Sequence, residues 1–255
     1  MPQPSRFRLL RSPLRLLALA GAAFAIAGTT GCTKGNLYST KDEVRMGAQA
    51  AKEIDRKYNA DTTSADALRV KRIGERLVLH SDARPGVPYT FKVLDMKEVN
   101  AVSLPGGPVY VFRGLLDLAG DDDDALACVI GHEIGHINGR HITKAITKQT
   151  QIGALLTILL QGRGGMANDV ANLGYELLSY KFSRDDESEA DSRGISYAYK
   201  AGFDPHGMTR FFEKLAAMEK RSGSTPEFLR DHPVTAKRIE RVNKMIETQE
   251  YRYGQ

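Results

Sequence analysis

Apolar residues recur along this chain at intervals that change from stretch to stretch. Between Lys41 and about Tyr58, the residues Val44, Ala48, Ala51 and Ile54 return every three or four positions, and Leu68, Ile73 and Leu77 do the same between Ser64 and His80. That period predicts two amphipathic helices whose charged positions read as solvated faces. Pro85-Gly86-Val87-Pro88 breaks the pattern, after which Tyr89 to Asp95 and Val109 to Phe112 alternate as strands do. Between these strands, Asn100-Ala101-Val102-Ser103-Leu104 runs into Pro105-Gly106-Gly107, a further strand ending in a turn. The helical period returns after Asp121, with Leu126, Ile130, Ile134 and Ile137 on one face. The acids that open this helix suit the partial positive charge of a helix N-terminus. Ile142 to Leu160 keeps helical apolar character, in runs too short to span a bilayer, and Gln161 to Gly165 reads as a loop.

The first 31 residues stand apart from this pattern. Arg6, Arg8, Arg11 and Arg15 give a basic start, followed by an apolar run from Leu14 to Ala27 and then Gly28-Thr29-Thr30-Gly31-Cys32, the layout of a secretory signal. A small residue before a cysteine resembles a bacterial lipoprotein signal, in which Cys32 becomes the lipidated N-terminus. Thr29 departs from the leucine usual there, which keeps a plain signal peptide or an uncleaved anchor as alternatives. The expected division is a signal over 1–31, a tether over 32–40 and one domain over 41–250. The position after Cys32 is not aspartate, which favours the periplasmic side of a Gram-negative outer membrane, with a soluble periplasmic protein as the alternative.

Charge matters only after that division. The chain carries +5, and four of those charges are the signal arginines, which leaves +1 for the remainder. No basic stripe interleaved with aromatics follows, so nucleic acid is not an expected partner. With Cys32 lipidated, Cys128 is the one cysteine left and no intramolecular disulfide can form. Cys128 lies among small apolar residues and reads as buried packing, not as a nucleophile.

The chemistry concentrates in His132-Glu133-Ile134-Gly135-His136. On a helix the two histidines lie about 40° apart around the axis, away from the apolar stripe. Two imidazoles at i and i+4 can share one metal ion, and Glu133 beside them can reach a water on it. Two core histidines bonded to backbone carbonyls would leave the same pattern. His141 is a third histidine close by, but an extended ligand motif needs six residues after the second ligand and here there are five. On a continuous helix it would point about 140° away from His136, so it does not read as a ligand. A hydrolytic zinc needs a third protein ligand and one open position. Glu187 and Asp191 stand one turn apart in a second helical stretch, with Gly194 and Ala198 on the same face. Glu187 can bind zinc, and Asp191 can accept the free ring N–H of a ligand histidine. Small residues there let the two helices come close. An acidic, solvated helix face is the competing reading. The Asn100–Leu104 strand, if it is a sheet edge beside the metal, offers Asn100 and Ala101 as a place for an extended peptide to pair.

Taken together, Ala127-Cys128-Val129-Ile130-Gly131-His132-Glu133-Ile134-Gly135-His136, then Ser183-Arg184 with Glu187 and Ala190-Asp191, then Ala201-Gly202-Phe203-Asp204-Pro205, resemble the zinc metallopeptidases that include the HtpX, Oma and CAAX prenyl protease types. Asn100-Ala101 with Pro105-Gly106-Gly107, and Asp231-His232-Pro233 with Arg238, match as well. The resemblance covers about residues 40–245 and is nearest to the periplasmic members. It implies an α+β, mostly helical gluzincin-type domain with a small β-sheet beside the active-site helix. It further implies one Zn2+ per chain on His132, His136 and Glu187, Glu133 as general base, and His232 near the metal. There His232 either polarises the substrate carbonyl or fills the open coordination position, with Arg238 as its orienting partner. The function so implied is a zinc-dependent endopeptidase of the bacterial envelope acting on misfolded or unassembled envelope proteins and held to the membrane by an N-terminal lipid. A non-proteolytic, chaperone-like zinc lipoprotein that binds unfolded outer-membrane proteins is the alternative. A purely structural zinc fits less well, because such sites usually have four protein ligands and often cysteine.

Overall fold

The computed structural model describes residues 36–148 and 181–250. The first two predicted helices form where the period places them. Ser39 caps α1 (Thr40–Tyr58): its hydroxyl accepts from the Asp42 N–H while the Asp42 carboxylate accepts from the Ser39 N–H, which satisfies two otherwise unpaired donors. Ser64 caps α2 (Ala65–Leu79) through the N–H of Ala67. Three strands, β1 (Thr90–Leu94), β2 (Ala101–Ser103) and β3 (Pro108–Phe112), make one sheet in the order β1-β3-β2. β1 runs parallel to β3 and β2 antiparallel to it, with Val102 opposite Tyr110. The sheet's side chains alternate between two cores. Phe91, Val93, Val109 and Val111 join the larger one with α2, while Tyr110 and Phe112 turn to α1. β2, the predicted strand beside the Pro-Gly-Gly turn, is an edge of this sheet. The turn needs its glycines: Gly106 and Gly107 have φ of +72° and +126°, and a Cβ on Gly107 would stand 2.4 Å from the Pro88 carbonyl oxygen.

The remaining elements among the described residues are helices: α3 (Arg113–Ala119), α4 (Asp123–Gly139), α5 (His141–Lys148), α6 (Arg184–Lys200), α7 (Gly207–Ser222), α8 (Glu227–Asp231) and α9 (Ala236–Thr248). α4 is the axis of the domain. It packs against α2, α6, α7 and β2, and every residue from Ala125 to Gly139 is buried. Here the structure departs from the sequence reading of one apolar face, because α4 has neighbours all round and no solvated side. Burying Leu126, Ile130 and Ile134 contributes about 1.5–3 kcal/mol each. Cys128 is buried as expected, and burial pushes its thiol pKa up, away from reactivity. Gly131 of α4 meets Gly194 of α6, where a Cβ on Gly194 would stand 2.6 Å from the His132 nitrogen. The small residues do permit close approach of these two helices.

Two further features differ from the sequence reading. Glu43, on the α1 face read as solvated, is buried. It pairs with Arg84 at 2.5 Å and Arg140 at 2.9 Å and accepts from the Thr143 hydroxyl, since a buried carboxylate is tolerated only with such partners. Arg84 also donates to the Ile137 carbonyl at 3.1 Å, which ties this cluster to the end of α4. Residues 36–39, read as tether, lie against α5: Asn36 Nδ2 donates to Thr143 Oγ1 at 2.8 Å and the Leu37 N–H to Thr147 Oγ1 at 3.2 Å. Among the described residues no helix is long and apolar enough to cross a membrane. The expected helix over Ile142–Leu160 is described only as far as Lys148. The signal over 1–31, Cys32 and the loop at Gln161–Gly165 lie outside the described residues.

Candidate metal centre

α4 carries His132 and His136 one turn apart, and their Nε2 atoms approach to 2.9 Å. α6 begins at a second reciprocal cap, Ser183 with Asp186, which sets Glu187 in the first turn facing α4. Its Oε1 lies 3.5 Å from His136 Nε2 and its Oε2 3.6 Å from His132 Nε2. His232, just past α8, brings Nδ1 to 2.8 Å from Glu187 Oε1 and 3.3 Å from His132 Nε2. One donor atom from each of His132, His136, Glu187 and His232 falls within 4.8 Å of all the others, and each residue is at most 3% exposed. Residues distant in sequence therefore converge as the spacing of the motifs suggested.

Around this group the supports are specific. His132 Nδ1 faces Asp191 Oδ1 at 3.0 Å. Arg238 grips Asp191 with two hydrogen bonds of 2.7 Å and reaches Glu187 Oε2 at 2.5 Å. Arg238 touches His232 only at its backbone carbonyl, at 3.3 Å, so its ring is set by other contacts. Those contacts are the hydrogen bond with Glu187 and two aromatic rings: His232 stacks on Phe228, at 4.8 Å between centroids, and on Phe182, at 5.4 Å. Phe182 also stacks on His136 at 3.7 Å. Neither phenylalanine was singled out in the sequence, although Phe182 immediately precedes the Ser183-Arg184 of the second motif. Asn100 is buried with its side chain already engaged: Nδ2 donates to Asp231 Oδ2 at 2.8 Å and Oδ1 accepts from the Ala101 N–H at 2.9 Å. Asn100 therefore ties the edge strand to the residue before His232, leaving the strand itself, with Ala101, beside α4. His141 is not among the four clustered residues. It nevertheless lies 2.9 Å from His136, Nδ1 to Nδ1, because α4 stops at Gly139 and the chain turns at Arg140 with φ of +58°. The sequence estimate of a 140° separation assumed an unbroken helix.

The charges follow from this packing. Burial raises the Glu133 pKa above its ordinary value, against the pull of His232 and His132. Burial pushes His136 well below its ordinary value, with help from His132. Burial also works to raise Glu187 and to lower His232, but each prevails over it for the other: Glu187 is held well below the carboxylate range and His232 above the imidazole range. Two observations test whether a metal fits. With Nδ1–H of His132 facing a carboxylate and that of His136 facing His141, both Nε2 lone pairs point at one another across 2.9 Å, an arrangement that a cation between them relieves. Both oxygens of fully buried Glu133 lack a well-aligned hydrogen-bond partner among the described residues, with His232 Nε2 at 3.5 Å from Oε1 and the Ser103 hydroxyl nearby. Two imidazoles and a carboxylate form a donor set suited to a divalent metal.

A buried His-His-Glu donor set across two crossing helices, with an unbonded carboxylate alongside, is the hallmark of a metallopeptidase. The chain belongs to peptidase family M48, whose model matches residues 64–246. It is 30% identical over 243 residues to the beta-barrel assembly-enhancing protease of Escherichia coli (strain K12), over 88% of this chain and 49% of that protein. It is 31% identical over 201 residues to metalloprotease LoiP of the same strain, over 76% of each. To the mitochondrial metalloendopeptidase OMA1 of Schizosaccharomyces pombe it is 29% identical over 210 residues, 80% of this chain and 61% of that one. The chain spans about half the length of the first of these relatives.

Proposed function

We propose that this metallopeptidase is a zinc-dependent endopeptidase of the bacterial cell envelope, acting on misfolded or unassembled envelope proteins and tethered by a lipid on Cys32. The observation that carries the reading is the convergence of His132, His136 and Glu187 beside the unbonded carboxylate of Glu133. His132, His136 and Glu187 would hold the ion, with Asp191 and Arg238 steadying the set. A bound zinc supplies Lewis acidity and brings the pKa of a water it holds toward neutrality. Glu133, its pKa raised by burial, takes the proton of the attacking water and passes it to the departing amine nitrogen. His232, with Nε2 3.5 Å from Glu133, can donate a ring N–H to the oxygen on which negative charge develops. In the present arrangement its Nδ1 instead joins the donor cluster, so substrate entry requires it to yield that place. An extended substrate strand pairing with β2 at Asn100 and Ala101 supplies affinity without a fixed sequence. The envelope setting draws on the leader sequence and on a relative that is a beta-barrel assembly-enhancing protease.

One observation favours the non-proteolytic alternative: all the donor residues and Glu133 are buried. Digestion of casein and of an unfolded outer-membrane barrel protein by the zinc-loaded chain, with and without chelator, separates the two. Cleavage abolished by chelator and by Glu133→Gln is expected. Binding without cleavage at any zinc concentration would leave only the chaperone-like reading.

A further inference from the structure

His141 is fully buried beside the site, yet it is not one of the clustered donors. Its Nδ1 lies 2.9 Å from Nδ1 of His136, and between two such nitrogens one must carry hydrogen and the other accept. The far side of each ring decides which. His136 Nε2 points into the cluster, 3.5 Å from Glu187 and 2.9 Å from His132, where a metal donor must present a bare lone pair, so its hydrogen sits on Nδ1. His141 Nε2 has two carboxylates of α6 within ion-pair distance, Glu189 Oε2 at 3.4 Å and Asp186 Oδ1 at 3.8 Å, though neither is aligned as a hydrogen bond; their negative charge favours the hydrogen on Nε2, which leaves Nδ1 to accept. Both ends demand the same arrangement.

The chain is shaped to bring His141 there. A Cβ on Gly139 would stand 2.2 Å from His141 Nε2, so only glycine leaves room for the ring. Arg140 takes up the left-handed turn that returns His141 to the α4 side, and the buried Glu43 holds Arg140 Nε at 2.9 Å. Asp186, which caps the start of α6, and Glu189 come from the same helix that supplies Glu187.

We propose that His141 is a positioning residue: it accepts the His136 Nδ1–H and so fixes that imidazole with Nε2 turned into the metal cluster, while Glu189 and Asp186 fix His141 in turn. The inference rests on His136 being a metal ligand. Partners of this kind set the tautomer and ring orientation of a ligand histidine, and losing one costs about 10–100-fold in metal affinity.

Ring-nitrogen NMR on the zinc-loaded full chain with isotopically labelled histidine tests this without any substitution. Hydrogen on Nε2 of His141, with Nδ1 as acceptor, is expected, and hydrogen on Nδ1 overturns the proposal. A second test compares His141→Leu with His141→Asn, whose amide oxygen can stand where Nδ1 stood. Competition with a chromophoric chelator at fixed pH should show zinc affinity about 10–100-fold weaker for the leucine variant, largely recovered by asparagine. Leucine binding as tightly as the native chain, or a folded asparagine variant binding as weakly as leucine, overturns it. A native chain that holds zinc but carries the wrong His141 tautomer defeats this inference alone. A native chain that binds no zinc defeats the metal-centre reading and this inference with it, and zinc binding without proteolysis defeats only the peptidase reading.

Discussion

His132 and His136 share one helix and one requirement, a fixed acceptor for the Nδ1–H, but their surroundings meet it by different means. On the His132 side the acceptor is a charged carboxylate, Asp191, buried and held bidentately by Arg238. On the His136 side it is a neutral ring, His141, and charge enters only one residue further out, at Glu189 and Asp186, which are partly exposed. The first support joins α4 to α6 and α9 across long stretches of sequence. The second comes from five residues downstream, through a break in the helix. The contrast teaches that one side depends on a buried ion pair with a steep penalty for being left incomplete, and the other on the exact path of the backbone.

The largest expected effect removes neither support. Glu133→Gln leaves both histidines framed and should keep the metal while peptidase turnover falls by about 10²–10⁴-fold. Metal analysis alongside a peptide-cleavage assay checks this, and an active glutamine variant would reassign the base. Asp191→Asn strips the His132 side. It should weaken zinc binding by about 10–100-fold and cost about 3–5 kcal/mol of stability, because Arg238 loses a buried partner. Chelator competition and denaturant unfolding measure the two losses, and a cost no greater than that of His141→Asn would erase the asymmetry. Gly194→Ala drives a methyl group toward the His132 backbone, where overpacking should cost about 1–3 kcal/mol. It should also weaken metal binding, since the helix pushed away carries Glu187 and Asp191.

The smallest effect lies at the other end of α4, where charge is exposed. Burial tends to raise Asp204, but hydrogen bonds from Arg210 and His206 outweigh it and hold its carboxyl at about 2, below the ordinary 3.8. A depressed carboxylate contributes stability that is present above about pH 3.8 and lost as pH falls toward 2. Asp204→Asn should therefore flatten part of the acid limb in that window, read as urea midpoints over a pH series. Parallel acid limbs in the two proteins would mean that Asp204 contributes nothing there.

Much of this was legible in the chain, and the illegible part has physical reasons. Side-chain periodicity located α1, α2, α4 and the strands because each buries a repeating set of residues. Two short motifs pointed to His132, His136 and Glu187, which the fold does bring together, because candidate metal donors need fixed spacing along a helix. The place of His141 was not legible, since a left-handed turn at arginine is uncommon and no local signal announced it. Burial of Glu43 was hidden because its partners, Arg84 and Arg140, are remote in sequence. The apolar stripe on α4 suggested one buried face because the helix's small and polar residues, Gly131 and Gly135 among them, are buried by close backbone approach and not by hydrophobicity.

The four clustered residues that could hold a metal belong to three separate stretches of chain: α4, the start of α6 and the segment after α8. An ion held there by His132, His136 and Glu187 would act as a removable rivet between α4 and α6. Because only the folded chain offers that grip, occupancy deepens the folded basin by mass action, by about 2.7 kcal/mol when free metal stands a hundredfold above its dissociation constant. Metal scarcity would thus lower the stability of the whole fold as well as its activity, so the supply of the ion would set both how much of the chain stays folded and how much of it can work.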